Sequence, residues 1–143
     1  MGRGPSPRLL AIVDALPLRK GMRVLEIGCG PGVAAREIAR RIGRGHVLGI
    51  DQSATAIAQA KAGSRAEIAS GVLSFRQAAI EDFELETDEA PYDIALAVRV
   101  GALDGRHPHA EAQAKRRIAA ALTPRGRLFI DGGNPLREIP LDG

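Results

Sequence analysis

The sequence predicts an α/β fold whose central sheet is parallel and doubly wound. Short apolar runs alternate with helix-like segments along the 143 residues, and no internal repeat interrupts this alternation. The first apolar run ends in three closely spaced glycines, which is typical of a tight turn from a strand into a helix. Alternating strands and helices form parallel sheets, and right-handed crossovers place helices on both faces. We expect about five strands in the order 3-2-1-4-5 and a single domain over residues 1–143.

The amino-terminal half provides three of the predicted strands and the helices between them. Ser6 followed by Pro7 predicts a helix that runs to about Leu16, so that residues 1–20 form an amino-terminal helix and cap. Ser53 is the predicted cap of a later, alanine-rich helix. The predicted strands are the apolar runs 22–27, 46–50 and 72–75, and the helix between the first two carries Ala34, Ile38 and Ile42 on one face.

The carboxy-terminal half alternates in the same way. Apolar runs at 92–98 and 127–131 predict strands four and five, and residues 109–122 predict the helix between them. Pro124 and Gly126 predict a type I turn that leads into strand five. The remaining residues, 132–143, are interpreted as a short tail.

Composition excludes several classes of protein. The sequence is 45% hydrophobic, yet no run approaches the ~20 apolar residues of a membrane span, and its first residues lack the apolar core of a signal peptide. Cys29 is the single cysteine, so an internal disulfide is excluded. We therefore expect a cytoplasmic protein with no membrane partner.

Charge is unevenly distributed along the chain. Residues 1–45 contain nine Arg or Lys against three acids, whereas residues 81–93 contain seven acids and no base. A basic segment indicates an anionic ligand, a nucleic acid or an ordinary solvated surface, and we favour the last. One tyrosine and three phenylalanines leave little for stacking on bases, so a nucleic acid partner is not expected.

The glycines after strand one carry the main functional signal. Their spacing is Gly28-x-Gly30-x-Gly32, and Glu26 lies in the strand just before them. A dinucleotide-binding fingerprint has the different spacing G-x-G-x-x-G, which disfavours a nicotinamide-dependent oxidoreductase. Glycines allow a ligand to approach the backbone closely, although a turn of this kind also serves packing alone.

The stretch EIGCGPG, residues 26–32, resembles the first motif of the class I S-adenosylmethionine-dependent methyltransferases. The resemblance covers about residues 8–131 and points to the small domains of types 11 and 25. It implies a Rossmann-like fold, with S-adenosyl-L-methionine as cofactor and S-adenosyl-L-homocysteine as product. Glu26 would hold the ammonium of the methionine moiety or orient the loop. The implied cofactor loop consists of Gly28, Cys29, Gly30 and Gly32.

Further cofactor contacts are implied at the ends of strands two and three. Asp51 closes strand two, where the family has an acid that accepts the ribose hydroxyls, and Gln52 would lie beside the adenine. The alternative for Asp51 is an ordinary turn aspartate. After strand three, Ala79 stands where the family usually has an acid. Either Glu81 or Asp82, or else the backbone around Ala79 and Ile80, would then hold the adenine.

At the end of strand four, the resemblance places Ala97 and Arg99 against the methionine half of the cofactor. Arg99 is a candidate for binding the carboxylate of the cofactor or that of a substrate. The alternative is that Arg99 fixes its own loop through Asp104.

The loop at 99–111 also contains the candidates for catalysis. His107 and His109 are candidate bases and Asp104 is a candidate acid, but exposed loop histidines are common, so no catalytic residue is assigned. The His-Pro-His sequence alone is too small a donor set for a metal site, and no metal is expected.

The predicted function is methyl transfer from S-adenosyl-L-methionine to a small-molecule acceptor. The alternative is a non-catalytic cofactor-binding module that acts with a partner protein. The antiparallel strands that end the family's fold are expected to be missing, because the tail at 132–143 is too short for them. Strand five would then be an open edge, covered either by the tail or by a second chain in a homodimer.

Overall fold

The computed structural model describes residues 4–103 and 108–141, which contain six strands in one sheet and five α-helices. No helix within these residues is long and apolar enough to cross a membrane. The strands are β1 (Arg23–Ile27), β2 (His46–Asp51), β3 (Leu73–Gln77), β4 (Tyr92–Ala97), β5 (Leu122–Asp131) and β6 (Leu136–Ile139). The helices are α1 (Pro7–Ala15), α2 (Val33–Ile42), α3 (Ala54–Ala62), α4 (Arg65–Ser70) and α5 (Pro108–Ala121).

The order of the strands in the sheet is β3-β2-β1-β4-β5-β6. Strands β1 to β5 pair in parallel, which confirms the predicted order of the first five strands. The order reverses between β1 and β4, because the chain leaves β3 and crosses back to the other side of β1. In sheets of this kind, ligands bind at the carboxyl ends of the strands beside this reversal.

Side chains of β1 alternate between two hydrophobic cores, one on each face of the sheet. Val24 joins the core that contains Ile38 of α2, and that core also receives residues of α1 and α3. Leu25 joins the opposite core, which contains Ile118 of α5. Because helices cover both faces, the central strands β1, β2 and β4 are buried along nearly their whole length. This arrangement is the doubly wound fold that the sequence predicts.

The predicted helix starts agree with the structure, but one helix was not expected. Ser6 and Ser53 cap α1 and α3, each accepting the backbone N–H three residues ahead, at 3.2 and 3.1 Å. The short helix α4 follows Ser64, a fully buried serine whose hydroxyl accepts a hydrogen bond from Arg36 at 2.9 Å. Its six residues are too few to show a clear helical period in the sequence.

The expectation that the antiparallel strands are missing is wrong in part, because one antiparallel strand is present. The segment at 132–143 contains β6, which pairs antiparallel with the end of β5. Gly132, with a φ of 115°, lies in the reversal between the two strands, where a residue with a side chain would be strained. The strand β6 covers the edge of β5 over Leu128–Asp131. The tail therefore covers the end of strand five, and the homodimer through that edge stays a prediction.

The boundary of β5 also differs from the prediction. The strand begins at Leu122 instead of residue 127, and Leu122 pairs with Tyr92 of β4. Pro124 and Gly126, the expected turn residues, lie where the register between the two strands shifts. These two residues thus produce an irregular stretch within β5 instead of a turn before it.

Candidate functional site

A cleft of about 540 Å³ lies at the carboxyl ends of the strands, beside the reversal of strand order. Its walls come from the ends of β1, β2 and β4 and from the segment after β3. Glu26, Cys29, Gly30, Gly32 and Ala97 do not belong to its lining. The described lining consists of Ile27, Gly28, Ile50, Asp51, Gln52, Ala78, Ala79, Ile80, Glu81, Val98, Arg99, Val100, Gly101 and Ala110.

The glycine loop between β1 and α2 is fixed to β2 by its backbone. The N–H groups of Gly28 and Cys29 both donate to the carbonyl oxygen of Ile50, at 2.8 and 2.9 Å. Gly28 and Gly30 have φ values of 72° and 53°, a left-handed conformation that glycine adopts without strain. A Cβ on Gly30 would meet no protein atom within 4 Å, so the loop leaves open space there.

Gly32 has a different surrounding from the other two motif glycines. A Cβ on Gly32 would lie 2.9 Å from Cζ of Phe75 and 3.2 Å from the Cβ of Ala60. Gly49 of β2 meets the same ring, with a Cβ placed 2.8 Å from Cδ1 of Phe75. Gly32 therefore lets α2 start against α3 and the sheet. The visible role of Gly32 is packing, and that of Gly49 was not recognised in the sequence.

Asp51 connects the glycine loop to the start of the next helix. Its Oδ2 accepts the N–H of Gly30 at 2.9 Å, and its Oδ1 accepts the N–H of Ser53, also at 2.9 Å. Each carboxylate oxygen can accept more than one hydrogen bond, so both keep capacity for hydroxyl donors in the cleft. The turn role and the ligand role that the sequence offered for Asp51 are thus compatible. Gln52 also faces the cleft and is exposed.

Glu26 lies beneath the loop and is only 3% exposed. Burial, with a smaller effect of the nearby Asp51 carboxylate, raises its pKa to about 8, although the N–H of Ala35 opposes the change. Its Oε1 has no hydrogen-bond partner among the described residues. A carboxyl group that is buried with an unpaired oxygen can bind a donor from a ligand or keep its own proton.

Cys29 is the second buried group of the loop, with 5% of its surface exposed. Burial and the two nearby carboxyl groups, Glu26 and Asp51, raise the pKa of the thiol to about 12. The thiol is therefore protonated at neutral pH and has no nucleophilic character. Cys29 contributes its backbone N–H to the loop, and its side chain packs in the core.

The segment after β3 forms the opposite wall of the cleft. Ala79 precedes a short 3₁₀ turn at Ile80–Asp82, and Ile80 is buried. The carbonyl oxygen of Glu81 accepts a hydrogen bond from Gln113 of α5 at 3.0 Å, which fixes this wall to the helix. Ala79, Ile80 and Glu81 all line the cleft, so both alternatives for this wall remain open.

Arg99 is the one residue other than glycine among those described that has a positive φ, 58°. Its backbone N–H donates to Oδ1 of Asp131 at 3.0 Å, while Oδ2 of Asp131 accepts from Arg8 of α1 at 3.1 Å. A left-handed arginine is strained and persists only where neighbours hold it. Sequence reasoning missed Asp131, although an acid that ends strand five was a usable signal.

Of the three catalytic candidates, His109 alone lies among the described residues. Asp104 and His107 lie outside the described residues, as does the contact suggested between Arg99 and Asp104. His109 is exposed in the first turn of α5 and is not part of the lining, whereas its neighbour Ala110 is. Within residues 4–103 and 108–141, no group of three or more potential metal ligands was found.

Comparison with known proteins shows which family the chain resembles. A family model described as a methyltransferase domain matches residues 18–140. The trans-aconitate 2-methyltransferase of Streptomyces avermitilis is 36% identical over 93 residues, which are 65% of this chain and 33% of the relative. The protein-L-isoaspartate O-methyltransferase of Methylorubrum extorquens is 35% identical over 130 residues, which are 90% of this chain and 50% of the relative.

Solved structures give the same result. The crystal structure of an S-adenosylmethionine-dependent methyltransferase from Thiobacillus denitrificans, in complex with S-adenosyl-L-homocysteine, superposes with a TM-score of 0.68 at 25% identity. The match covers 89% of this chain and 48% of that protein. The chain thus spans between a third and a half of the length of these relatives. The family model, the relatives and the strand order together establish that the chain belongs to the class I S-adenosylmethionine-dependent methyltransferase family.

Proposed function

We propose that the chain binds S-adenosyl-L-methionine in the cleft and transfers its methyl group to an acceptor. The observation that carries this proposal is the Asp51 carboxylate, which holds the N–H of Gly30 while it lines the cleft. A carboxylate at the end of the second strand suits the two hydroxyls of a ribose. Gly30 leaves space above the loop for a ligand, because a Cβ there would meet no protein atom within 4 Å.

Residues of the cleft and of the loop beneath it fit the remaining parts of the cofactor. Glu26, with its buried and unpaired Oε1, suits the ammonium of the methionine moiety, which would supply the missing donor. The wall at Ala79, Ile80 and Glu81 would receive the adenine. The bound cofactor would supply a methyl group already activated by its sulfonium. The chain's own part is to bind, to orient and to exclude water.

The proposed reaction does not require a catalytic base from the described residues. Methyl transfer is an in-line displacement, and a base matters only when the acceptor must lose a proton near the transition state. His109 is exposed and outside the cleft lining, so we assign it no role. The relatives described above all have methyltransferase names, which favours transfer over a non-catalytic binding module.

The proposal is tested by calorimetric titration of the chain with S-adenosyl-L-methionine, S-adenosyl-L-homocysteine and NAD. We expect the first two to bind and NAD not to bind. Asp51→Ala should weaken binding of both ligands by about a hundredfold, because the ribose loses a charged acceptor and the loop loses its anchor. Asp51→Asn, which keeps one oxygen, should weaken binding by about tenfold.

Asp93→Asn is the matched control for Asp51→Asn. Asp93 also accepts a backbone N–H, that of Arg23 at 2.9 Å, but lies at the amino ends of the strands, away from the cleft. The affinity of the Asp93→Asn variant for S-adenosyl-L-homocysteine should stay within twofold of that of the unmodified chain. Binding of NAD alone, or equal losses in the two asparagine variants, would contradict the proposal.

A further inference from the structure

A second cavity, of about 300 Å³, opens beside the cleft at the carboxyl ends of β4 and β5. It shares Arg99 and Val100 with the cleft, so a molecule in this cavity would lie next to a ligand in the cleft. Its volume is at the lower end of the range for small-molecule pockets. The position is the one in which an acceptor would meet a cofactor held by the cleft.

The described lining of this cavity combines an apolar floor with an excess of positive charge. Leu103 and Ile130 are buried parts of the lining. Arg99 and Arg137 are also part of it, and they stand against a single carboxylate, that of Asp131. Both oxygens of Asp131 already accept hydrogen bonds, one of them from the guanidinium of Arg8. Arg99 and Arg137 are both exposed, so their guanidinium groups are accessible to an anionic ligand from solvent.

The backbone beside the cavity contains one strained residue and one glycine that permits a reversal. Arg99 keeps its left-handed φ of 58° under the hydrogen bond to Asp131. Gly132, with a φ of 115°, allows the reversal that returns Arg137 to the side of the cavity, opposite Ile130 in the β5–β6 register. A strained conformation such as that of Arg99 is concentrated at ligand sites, where neighbouring structure holds it in place.

We propose that the methyl acceptor is a small molecule with a carboxylate group, which Arg99 and Arg137 bind in this second cavity. The proposal rests on the proposed function, because it identifies the acceptor of that reaction. Guanidinium groups bind carboxylates through paired, charge-assisted hydrogen bonds. The sulfonium of the cofactor adds another positive charge nearby. A carboxylate balances these charges, whereas an amine acceptor in its protonated form would be repelled by all of them.

The experiment uses citrate and inorganic phosphate as probes of the chain saturated with S-adenosyl-L-homocysteine. We expect calorimetry to show citrate binding to the loaded chain. Arg137→Gln should weaken citrate binding by at least tenfold and leave the affinity for S-adenosyl-L-homocysteine within twofold. Arg125→Gln is the matched control, because Arg125 is an exposed arginine near the other end of β5. It should change neither affinity by more than twofold.

Several outcomes would overturn the inference, and they are distinguishable from failure of the proposed function. Binding of S-adenosyl-L-homocysteine without binding of citrate would overturn the inference alone. Equal loss of citrate binding in Arg137→Gln and Arg125→Gln would do the same, because it would indicate only a general charge effect. Phosphate that binds more tightly than citrate would replace the carboxylate with a phosphorylated acceptor. Failure of S-adenosyl-L-homocysteine to bind would overturn the proposed function and the acceptor assignment with it.

Discussion

The two halves of the carboxyl edge of the sheet are built in different ways. The half at β1 and β2 joins segments that are close in the sequence: the N–H of Gly28 donates to the carbonyl oxygen of Ile50 and that of Gly30 to the carboxylate of Asp51, all within one strand–helix–strand unit. The half at β4, β5 and β6 uses side chains from distant segments. Asp131 joins Arg8, which is 123 positions away in the sequence, to Arg99, which is 32 positions away.

This difference predicts which half of the site is more sensitive to substitution. A loop made by glycines and backbone hydrogen bonds depends on the shape of the chain, so a single added methyl group changes it. A cluster of arginines around one aspartate depends on charge, so its members contribute separately and each contributes less. Substitutions in the two halves of the site test this contrast.

The largest effect is expected for Gly32→Ala. The added Cβ would lie 2.9 Å from the ring of Phe75, and the residue would keep a φ of 88°. Overpacking and the left-handed conformation together should lower the free energy of unfolding by about 2–5 kcal/mol. Gly30→Ala is the control, because its φ is also positive but its Cβ would meet no atom within 4 Å.

Urea unfolding of the two variants measures the contrast. Gly30→Ala should lose only about 1–2 kcal/mol of stability, from backbone strain alone. The same methyl group should nevertheless weaken binding of S-adenosyl-L-homocysteine, because it fills the space above the loop. Equal stability losses in the two variants would show that packing against Phe75 is unimportant.

The second prediction concerns the pH dependence that Glu26 gives to the first half of the site. Its folded-state pKa, raised by burial to about 8, lies above the usual range of a glutamate. Between the unfolded and folded pKa values, the folded chain binds the extra proton, so stability falls as pH rises through this interval. The slope reaches about 1.4 kcal/mol per pH unit. The substitution Glu26→Gln should remove this pH dependence of the stability.

Urea midpoints at pH 5, 6.5 and 8 test this prediction. The stability of the Glu26→Gln variant, relative to that of the unmodified chain, should increase with pH. Glu37→Gln is the control. Partial burial opposes ionisation of Glu37, but hydrogen bonds from Arg40 and Arg41 lower its pKa overall. Its carboxylate is therefore ionised across this pH range, and the effect of Glu37→Gln should be constant. A constant effect of Glu26→Gln would contradict the prediction.

In the second half of the site, Asp131→Ala removes the acceptor of both the Arg99 N–H and the Arg8 guanidinium. We expect a loss of about 1–2 kcal/mol in the free energy of unfolding, because the pair with Arg8 is exposed and contributes little. Asp93→Ala, which removes a similar bond to a backbone N–H at the other edge of the sheet, should cost a similar amount. Thermal unfolding of both variants measures this. If Asp131→Ala alone lowered the free energy of unfolding by more than about 4 kcal/mol, the two halves would not differ in the way proposed.

The smallest effect is expected at Arg99 itself. Arg99→Gly relieves the left-handed conformation at a φ of 58°, whereas Arg99→Ala keeps the strain and removes the same charge. Arg99→Gly should therefore be more stable than Arg99→Ala by about 1 kcal/mol. Denaturant midpoints of the pair give the value. If the alanine variant were the more stable, the backbone of Arg99 would not be strained.

The sequence was sufficient for the parts of the molecule that depend on local pattern. Apolar periodicity located the first five strands, and the capping serines Ser6 and Ser53 located two helix starts. The interpretation of Asp51 also had a local basis, because the chain from Gly30 to Asp51 is a single strand–helix–strand unit.

The remaining features depend on pairing over longer distances. Strand β6 has only four residues, of which two are charged, so its pairing with β5 and not its composition makes it a strand. Gly49 is a glycine because the ring of Phe75 lies above it, a contact between two strands that no single segment reveals. The arginines around Asp131 come from α1, β6 and the end of β4, which meet only in the folded chain.

The burial of Cys29 has a practical consequence for spectroscopy. The chain has one cysteine, 5% exposed, with a thiol pKa of about 12. Maleimide and iodoacetamide reagents require an accessible thiolate, so the folded chain presents no native attachment point to them. Spin labels or fluorophores can thus be attached to cysteines introduced on either side of the cleft without first removing the native one. Distances across the cleft then become measurable in solution.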